Sequence, residues 1–523
     1  MVAAAALMLD YILNVAVGIS AGVGALVSAV PSLHPHILAL CLSILGLITV
    51  VNLRGVRESG VVLAFPTYIF LACMGSVLVL GLLRVATSGG SPIPRAPLPS
   101  PSATLVPASA WLLVRAFASG CTAMTGVEAV SNAVQAFRKP TVKNARLTLG
   151  ALVLLLSLLL IGIATLTRAY GIVATSPDSP SYQSVLSQLA AAVVGRGWLY
   201  YVTIGSTLAI LALSANTSFA GFPRLCRLLA QDDYLPHAFA TVGRRLVYSI
   251  GIVFLAVVAG ALLIVFGGIT DRLIPLFAVG ALLAFTMSQW GMVKHYGLMT
   301  DRRGKGKRSV NLVGAVTTGA ALAVVLAAKF TDGAWITLVL IGGMIWLFLR
   351  VKRHYRFIER LTHAGEPLDV ENLHAPVAIV PLTAWSKVTA KALRFALTMS
   401  DDVRALHISI DEEEERKVCA EWRRHVELPL AGTDRAVPRL DTIRSPYRRL
   451  SGPLLTFLLR TQHDHPEQTV AVIIPELVEA KWYQFFLHNQ KAAALKMALL
   501  LRGGSRVVVV SVPWYTDEPE EPR

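Results

Sequence analysis

Between residues 4 and 350 the chain alternates long apolar stretches with short polar loops, and most stretches have bilayer-spanning length. Roughly 20 apolar residues wound as a helix cross the hydrocarbon of a membrane. Lipid offers no partner to a backbone N–H or C=O, so such stretches must bond within themselves as helices. The candidates are 4–29, 36–52, 61–81, 106–134, 148–168, 198–220, 246–267, 273–293, 310–328 and 335–350. This predicts about ten spans. Composition agrees: 15% of the chain is charged, against about 25% in a soluble protein. The charges gather after 350. The expected organisation is therefore an α-helical polytopic membrane domain over 1–350 and a soluble domain over 351–523.

Loop charge predicts the orientation, because Lys and Arg are retained on the cytoplasmic side. Alternate loops hold Arg54 and Arg57; Arg138, Lys139, Lys143 and Arg146; Arg224, Arg227, Arg244 and Arg245; then Lys294, Arg302, Arg303, Lys305, Lys307 and Arg308. The opposite loops and span ends hold far fewer: Arg84, Arg95, Arg168, Arg196, Arg272 and Lys329. The N-terminus and the soluble domain are accordingly expected in the cytoplasm. Topology also accounts for much of the net charge of +16. With no aromatic-interleaved basic patch or finger spacing, the sequence gives no reason to expect a nucleic-acid partner. The five cysteines form no CxxC pair, which argues against a metal site or a disulfide framework. No basic n-region precedes the first stretch, and Asp10 interrupts it, so a signal peptide is not expected.

Polar residues inside the spans are costly and mark the places to look. Asp10, Asn14 and Gly18 lie four apart in the first span and so share one helical face, with Tyr11 beside them. That stripe faces either a transport pathway or a neighbouring helix, and Gly18 with Gly22 would suit close packing. The span at 106–134 is dense in small residues: Gly120, Thr122, Thr125, Gly126, then Glu128, Ser131 and Asn132. Such density predicts a break in the helix. A broken membrane helix exposes backbone carbonyls and helix ends, which can hold a cation or a polar substrate group. Thr125 and Glu128, three apart, could share one site for a monovalent cation. Glu128 could bind the ion, carry a proton or pair with a basic residue. Ser206, Thr207, Ser214, Asn216, Thr217 and Ser218 could line a pathway or bond their own backbone. Gln289 is a further candidate. The loop at 87–105 reads as irregular, and 173–197 as partly helical.

The tail alternates strands and helices. Strands are expected at 377–382, 404–410, 469–477 and 505–513, with helices at 388–399, to about 425, 450–463 and 485–500. Nearly continuous apolar strands predict a parallel sheet covered on both faces. Ser386, Lys387 and Thr389 form either a helix cap or a phosphate contact. No nucleophile–base set stands out, so the tail reads as regulatory, not enzymatic, with no cofactor.

The segments DYILNVAVGISAG, NLRGVRESG, TAMTGVEAVSN, FRKPTVKNARLTL and LFAVGALLAFTMSQWGMVKHY resemble the amino acid–polyamine–organocation superfamily. Within it, the chain most resembles the bacterial potassium–proton symporter branch, and the resemblance covers nearly its whole length. It implies two inverted five-helix repeats plus two further helices, with broken helices at the substrate. In that frame the spans at 4–29 and 106–134 correspond to the family's third and sixth helices. The first two helices, with a carboxylate and an aromatic of the site, would then be missing.

For function, the resemblance implies secondary transport of potassium with protons across the plasma membrane. Asp10 and Tyr11 match an Asp–Tyr pair of the third helix; Asn14 and Gly18 stand where a Thr and a Ser are expected. Thr125 and Glu128 match the sixth-helix residues, and Phe277 falls where a Tyr is expected. These departures leave a proton-coupled amino acid permease open as an alternative. A membrane-anchored nucleotide sensor is another. The tail resembles a universal-stress-type fold, which in this branch can bind a regulatory cyclic dinucleotide. A homodimer through the tail is also expected.

Overall fold

The computed structural model describes residues 1–55, 60–99, 109–126, 130, 134, 137–177, 182–243, 247–298, 302–363, 365, 371, 373–409, 411–433, 435–445, 451–478 and 491–515. Two compact units result, Met1–His363 and Ala364–Arg523.

The first unit is helical: α1 (Val2–Ala29), α2 (Ile37–Leu53), α3 (Gly60–Thr87), α4 (Ala110–Gly120), α5 (Thr141–Ala169), α6 (Val185–Val194), α7 (Trp198–Gln231), α8 (Ser249–Val265), α9 (Thr270–Gly297), α10 (Arg302–Lys329) and α11 (Trp335–Thr362). Seven stretches among the described residues are long and apolar enough to cross a membrane. One of them, Gly304–Thr362, contains both α10 and α11. They are separated at a π-helical turn, Phe330–Ala334, where Gly333 takes φ 103°. Shorter apolar helices lie at Ala110–Ala123, Val185–Val194 and Ser249–Val265. Charge density rises at 351, yet α11 runs on to Thr362, with basic residues on its last turns.

Burial separates the centre from the rim. In α1 61% of the apolar window is buried, against 6% in α5. The small residues of α1 explain its place. A Cβ on Gly18 would lie 3.1 Å from the Leu211 carbonyl oxygen, and one on Gly22 would lie 3.0 Å from Leu208 Cδ1. Glycine alone lets α1 and α7 approach this closely. The loop read as partly helical contains α6, which is buried. Its Ser187 hydroxyl meets the Tyr200 hydroxyl at 2.7 Å, and Arg84 donates to the Val193 carbonyl near its C-terminal end, where a cation suits the helix dipole.

The second unit is a five-stranded sheet in the order β3-β2-β1-β4-β5, every pair parallel. The strands are β1 (Val377–Leu382), β2 (Val403–Ser409), β3 (Arg439–Arg444), β4 (Val470–Val478) and β5 (Val507–Tyr515). Between them come α12 (Lys387–Met399), α13 (Glu412–Trp422), α14 (Ser451–Asp464) and α15 (Lys491–Arg502). Side chains alternate across each strand. Ala378, Val380 and Leu382 meet α12 and α13 on one face; Val377 and Ile379 meet α14 and α15 on the other. Edge strand β3 reads RLDTIR and has no fully buried position. It lacks the continuous apolar run that marks the other strands, so the sequence does not announce it. Ser386 caps α12, accepting from Thr389 N at 3.2 Å.

Asp402 precedes β2 and accepts two bonds from Arg404, at 3.1 Å to Nε and 2.8 Å to Nη2. Those bonds hold its carboxyl below the usual carboxylate range. A depressed value means the stabilisation is present above the unfolded pKa of about 3.9 and is lost as pH falls through the folded value. Asp402→Asn should therefore lower the thermal stability of residues 364–523 at neutral pH. The gap from the parent should close as the pH falls below about 4. A gap independent of pH would place the effect elsewhere.

Candidate functional site

Helix α1 brings three of the residues singled out in the sequence into one seam. Asp10 is 1% exposed. Its backbone faces α9, where a Cβ on Gly280 would lie 3.8 Å from Asp10 N. Tyr11 turns to α7. A Cβ on Gly221 would stand 2.8 Å from its ring Cζ and hydroxyl oxygen, so the tyrosine occupies the space that glycine leaves. Asn14 reaches the same helix: its amide donates to Ser218 Oγ at 2.8 Å and to the Ser214 carbonyl at 3.3 Å. One turn further on, Gly18 completes the contact. The polar stripe thus lies between helices, with Asn14 paired across α1 and α7.

A second polar pair extends the seam. Asn52 of α2 donates to Asn216 Oδ1 at 2.6 Å and to its own helix at the Ile48 carbonyl. Asn216 was among the pathway candidates; Asn52 was not. The readable signal for Asn52 was an amide closing an apolar run. Ser206, Thr207 and Thr217 instead donate to carbonyls of their own helix. Gln289 lies across Gly314 of α10, where a Cβ would come within 2.9 Å of its amide carbon.

The span rich in small residues is broken. Helix α4 stops at Gly120, a 3-10 turn covers Cys121–Met124, and Thr125 is extended with φ −71° and ψ 155°. Gly126 comes next with φ 88°, a conformation that suits glycine and strains other residues. Thr125 Oγ1 donates to the Thr122 carbonyl at 2.7 Å. Glu128 lies outside the described residues. Ala118 and Cys121 pack against Ala278, Val279 and Leu282 of α9 and against Val325 and Ala328 of α10. A cavity of about 330 Å³ adjoins the break, lined by Phe117, Gly120 and Cys121, by Leu282, and by Thr317, Thr318 and Ala321.

Helix α9 therefore stands between the two candidate regions. Gly280 meets Asp10 on α1, while Ala278, Val279 and Leu282 meet the segment leading into the break. Phe277 is buried in the α1 cluster. Chemically, the seam offers a carboxylate, a phenol and amide and hydroxyl oxygens. The break offers the Thr125 hydroxyl, whose proton goes to the Thr122 carbonyl. Among the described residues, no group of His, Cys, Asp and Glu is arranged to hold a metal ion.

These features define a helical, multi-span membrane transporter, and comparison with known families agrees. Residues 1–347 match the amino acid permease family, and the chain belongs to it. Residues 372–514 match the KimA potassium transporter C-terminal domain. A relative, the potassium transporter KimA of Bacillus subtilis (strain 168), is 36% identical over 523 residues, covering 98% of this chain and 82% of that protein. The protein is accordingly a multi-pass protein of the plasma membrane, in the potassium-transporter branch of its superfamily.

Proposed function

We propose that this chain moves potassium across the plasma membrane together with protons. The observation that carries the reading is its identity to a potassium transporter along nearly its whole length, tail included. In this reading the unit Met1–His363 crosses the bilayer about ten times, with α10 and α11 as separate spans and the short helices α4 and α8 completing the count. Potassium is the substrate, held by Thr125 and Glu128 at the break, with Tyr11 and Asn14 coordinating. Asp10 and Glu128 handle the cation and the proton, since a carboxylate at membrane depth is stable only with a counter-charge or a proton. The tail is cytoplasmic and regulatory. Its parallel sheet is of the universal-stress type, a cyclic dinucleotide is its ligand, and it joins two copies.

The test is growth rescue of an uptake-deficient cell at limiting potassium. Expression should restore growth. Failure to restore it, together with uptake of radiolabelled amino acid, would favour the permease reading, which Gly18 and Phe277 leave room for. Calorimetry of the full chain with a cyclic dinucleotide tests the tail: no heat would remove that ligand.

A further inference from the structure

Among the described residues, helix α4 packs on α9 and α10 through its C-terminal end. Trp111, Leu112, Leu113, Val114 and Phe117 are all exposed, and only Ala118 on the helix and Cys121 just after it are buried. Beside that packed end, the cavity at Gly120 and Cys121 leaves open space against Leu282 of α9 and Thr317, Thr318 and Ala321 of α10. After Gly120 the helix is broken, so α4 is not rigidly continuous with the chain beyond Thr125. One close polar contact reaches it from another element. Arg115 Nη2 donates to Asp332 Oδ2 at 2.5 Å, and Lys329 Nζ meets the same oxygen at 3.3 Å. Asp332 belongs to the π-helical turn between α10 and α11, next to Gly333 with its φ of 103°. The turn thus presents one carboxylate to two cations, one from its own helix and one from α4.

We infer that Arg115 and Asp332 form a latch that holds the half-helix α4 closed over the break on the outer face, with Lys329 a second cation on Asp332 from its own segment. They position α4 for transport without touching the substrate. The inference rests on the transport reading above and on the loop-charge orientation, which places residues 87–105 and the α10–α11 turn outside. The exposure of the pair fits the role. Arg115 and Asp332 side chains are 40% and 31% exposed. A half-exposed pair is worth little and opens readily, whereas separating a fully buried pair strands a charge and is strongly opposed. A latch that must open once per cycle needs the former. The cavity beside Gly120 and Cys121 gives the same motion room.

Cys121 is a built-in reporter, because it is buried there and lines the cavity. The experiment uses the full chain in cells with Cys41, Cys73, Cys226 and Cys419 replaced, and measures labelling of Cys121 by a membrane-impermeant maleimide added outside. Arg115→Gln and Asp332→Asn should each speed labelling about two- to fivefold, the range a half-exposed ion pair allows. The double variant should label no faster than either single one, since both break the same contact. Arg115→Lys should return the rate towards the parent. Lys329→Gln removes a contact within the turn and none to α4, so it should not speed labelling. Unchanged labelling in both single variants, or additive rates in the double variant, would overturn the latch. Potassium uptake is read separately on the same cells. Its absence in the parent would count against the transport reading, while the labelling pattern still judges the latch.

Discussion

Replacing Glu128 with glutamine is expected to abolish potassium-dependent growth, lowering uptake by about two orders of magnitude, which corresponds to ~2.7 kcal/mol. The substitution keeps size and hydrogen bonding but removes the charge. A cation in the low-dielectric interior has little to offset its lost hydration except a fixed negative charge and oriented oxygens. In the proposed mechanism Glu128 also carries the proton, and an amide cannot take up and release one. Glu128→Asp should retain part of the activity if charge is what matters. The measurement is initial-rate uptake in an uptake-deficient cell, normalised to membrane expression. Uptake that survives Glu128→Gln would remove the assigned role and leave Asp10 as the carboxylate to examine.

A second large effect is expected at Gly221. An alanine methyl there would sit 2.8 Å from Cζ and 2.9 Å from Cε1 of Tyr11. Tyr11 is held between helices, so either the ring leaves its place or α1 and α7 separate. Overpacking of this kind costs about 1–3 kcal/mol. Gly221→Ala should lower the melting temperature of the purified protein and reduce uptake. The partner variants identify the cause. Tyr11→Phe removes the hydroxyl but leaves both ring carbons in the way, so Gly221→Ala with Tyr11→Phe should be as unstable as Gly221→Ala. Tyr11→Ala clears the space, so adding Gly221→Ala to it should cost little more. Equal destabilisation in the Tyr11→Ala background would mean that the glycine serves something other than the ring.

Local chemistry explains which features were legible in the sequence. The break after Gly120 was readable because glycine and hydroxyl residues crowd TGVE and its surroundings, and no neighbouring helix is needed to disfavour a regular helix there. The pairing of Asn14 with Ser218 was legible only halfway. Each residue was visible as a polar group on an apolar helix, but nothing in the spacing says that α1 lies against α7. Gly221 gave no signal, because its meaning is the ring of a residue far away in the chain. Arg115 and Asp332 are hidden for the same reason: nothing in the spacing says that α4 and the α10–α11 turn come together. In the tail, strands buried on both faces were visible as apolar runs, whereas β3 at the sheet edge alternates polar and apolar residues and was not. The Ser386–Thr389 pair was ambiguous in sequence; in the structure Ser386 is engaged in capping α12.

The central claim is that this protein couples potassium movement to proton movement through the carboxylates Asp10 and Glu128. It is tested most directly by reconstituting the purified full-length chain into liposomes that trap a pH-sensitive dye. A potassium gradient directed inwards should acidify the lumen, and the Asp10→Asn and Glu128→Gln variants should not acidify it. A lumen pH indifferent to potassium, yet moved by an amino acid gradient, would contradict the account.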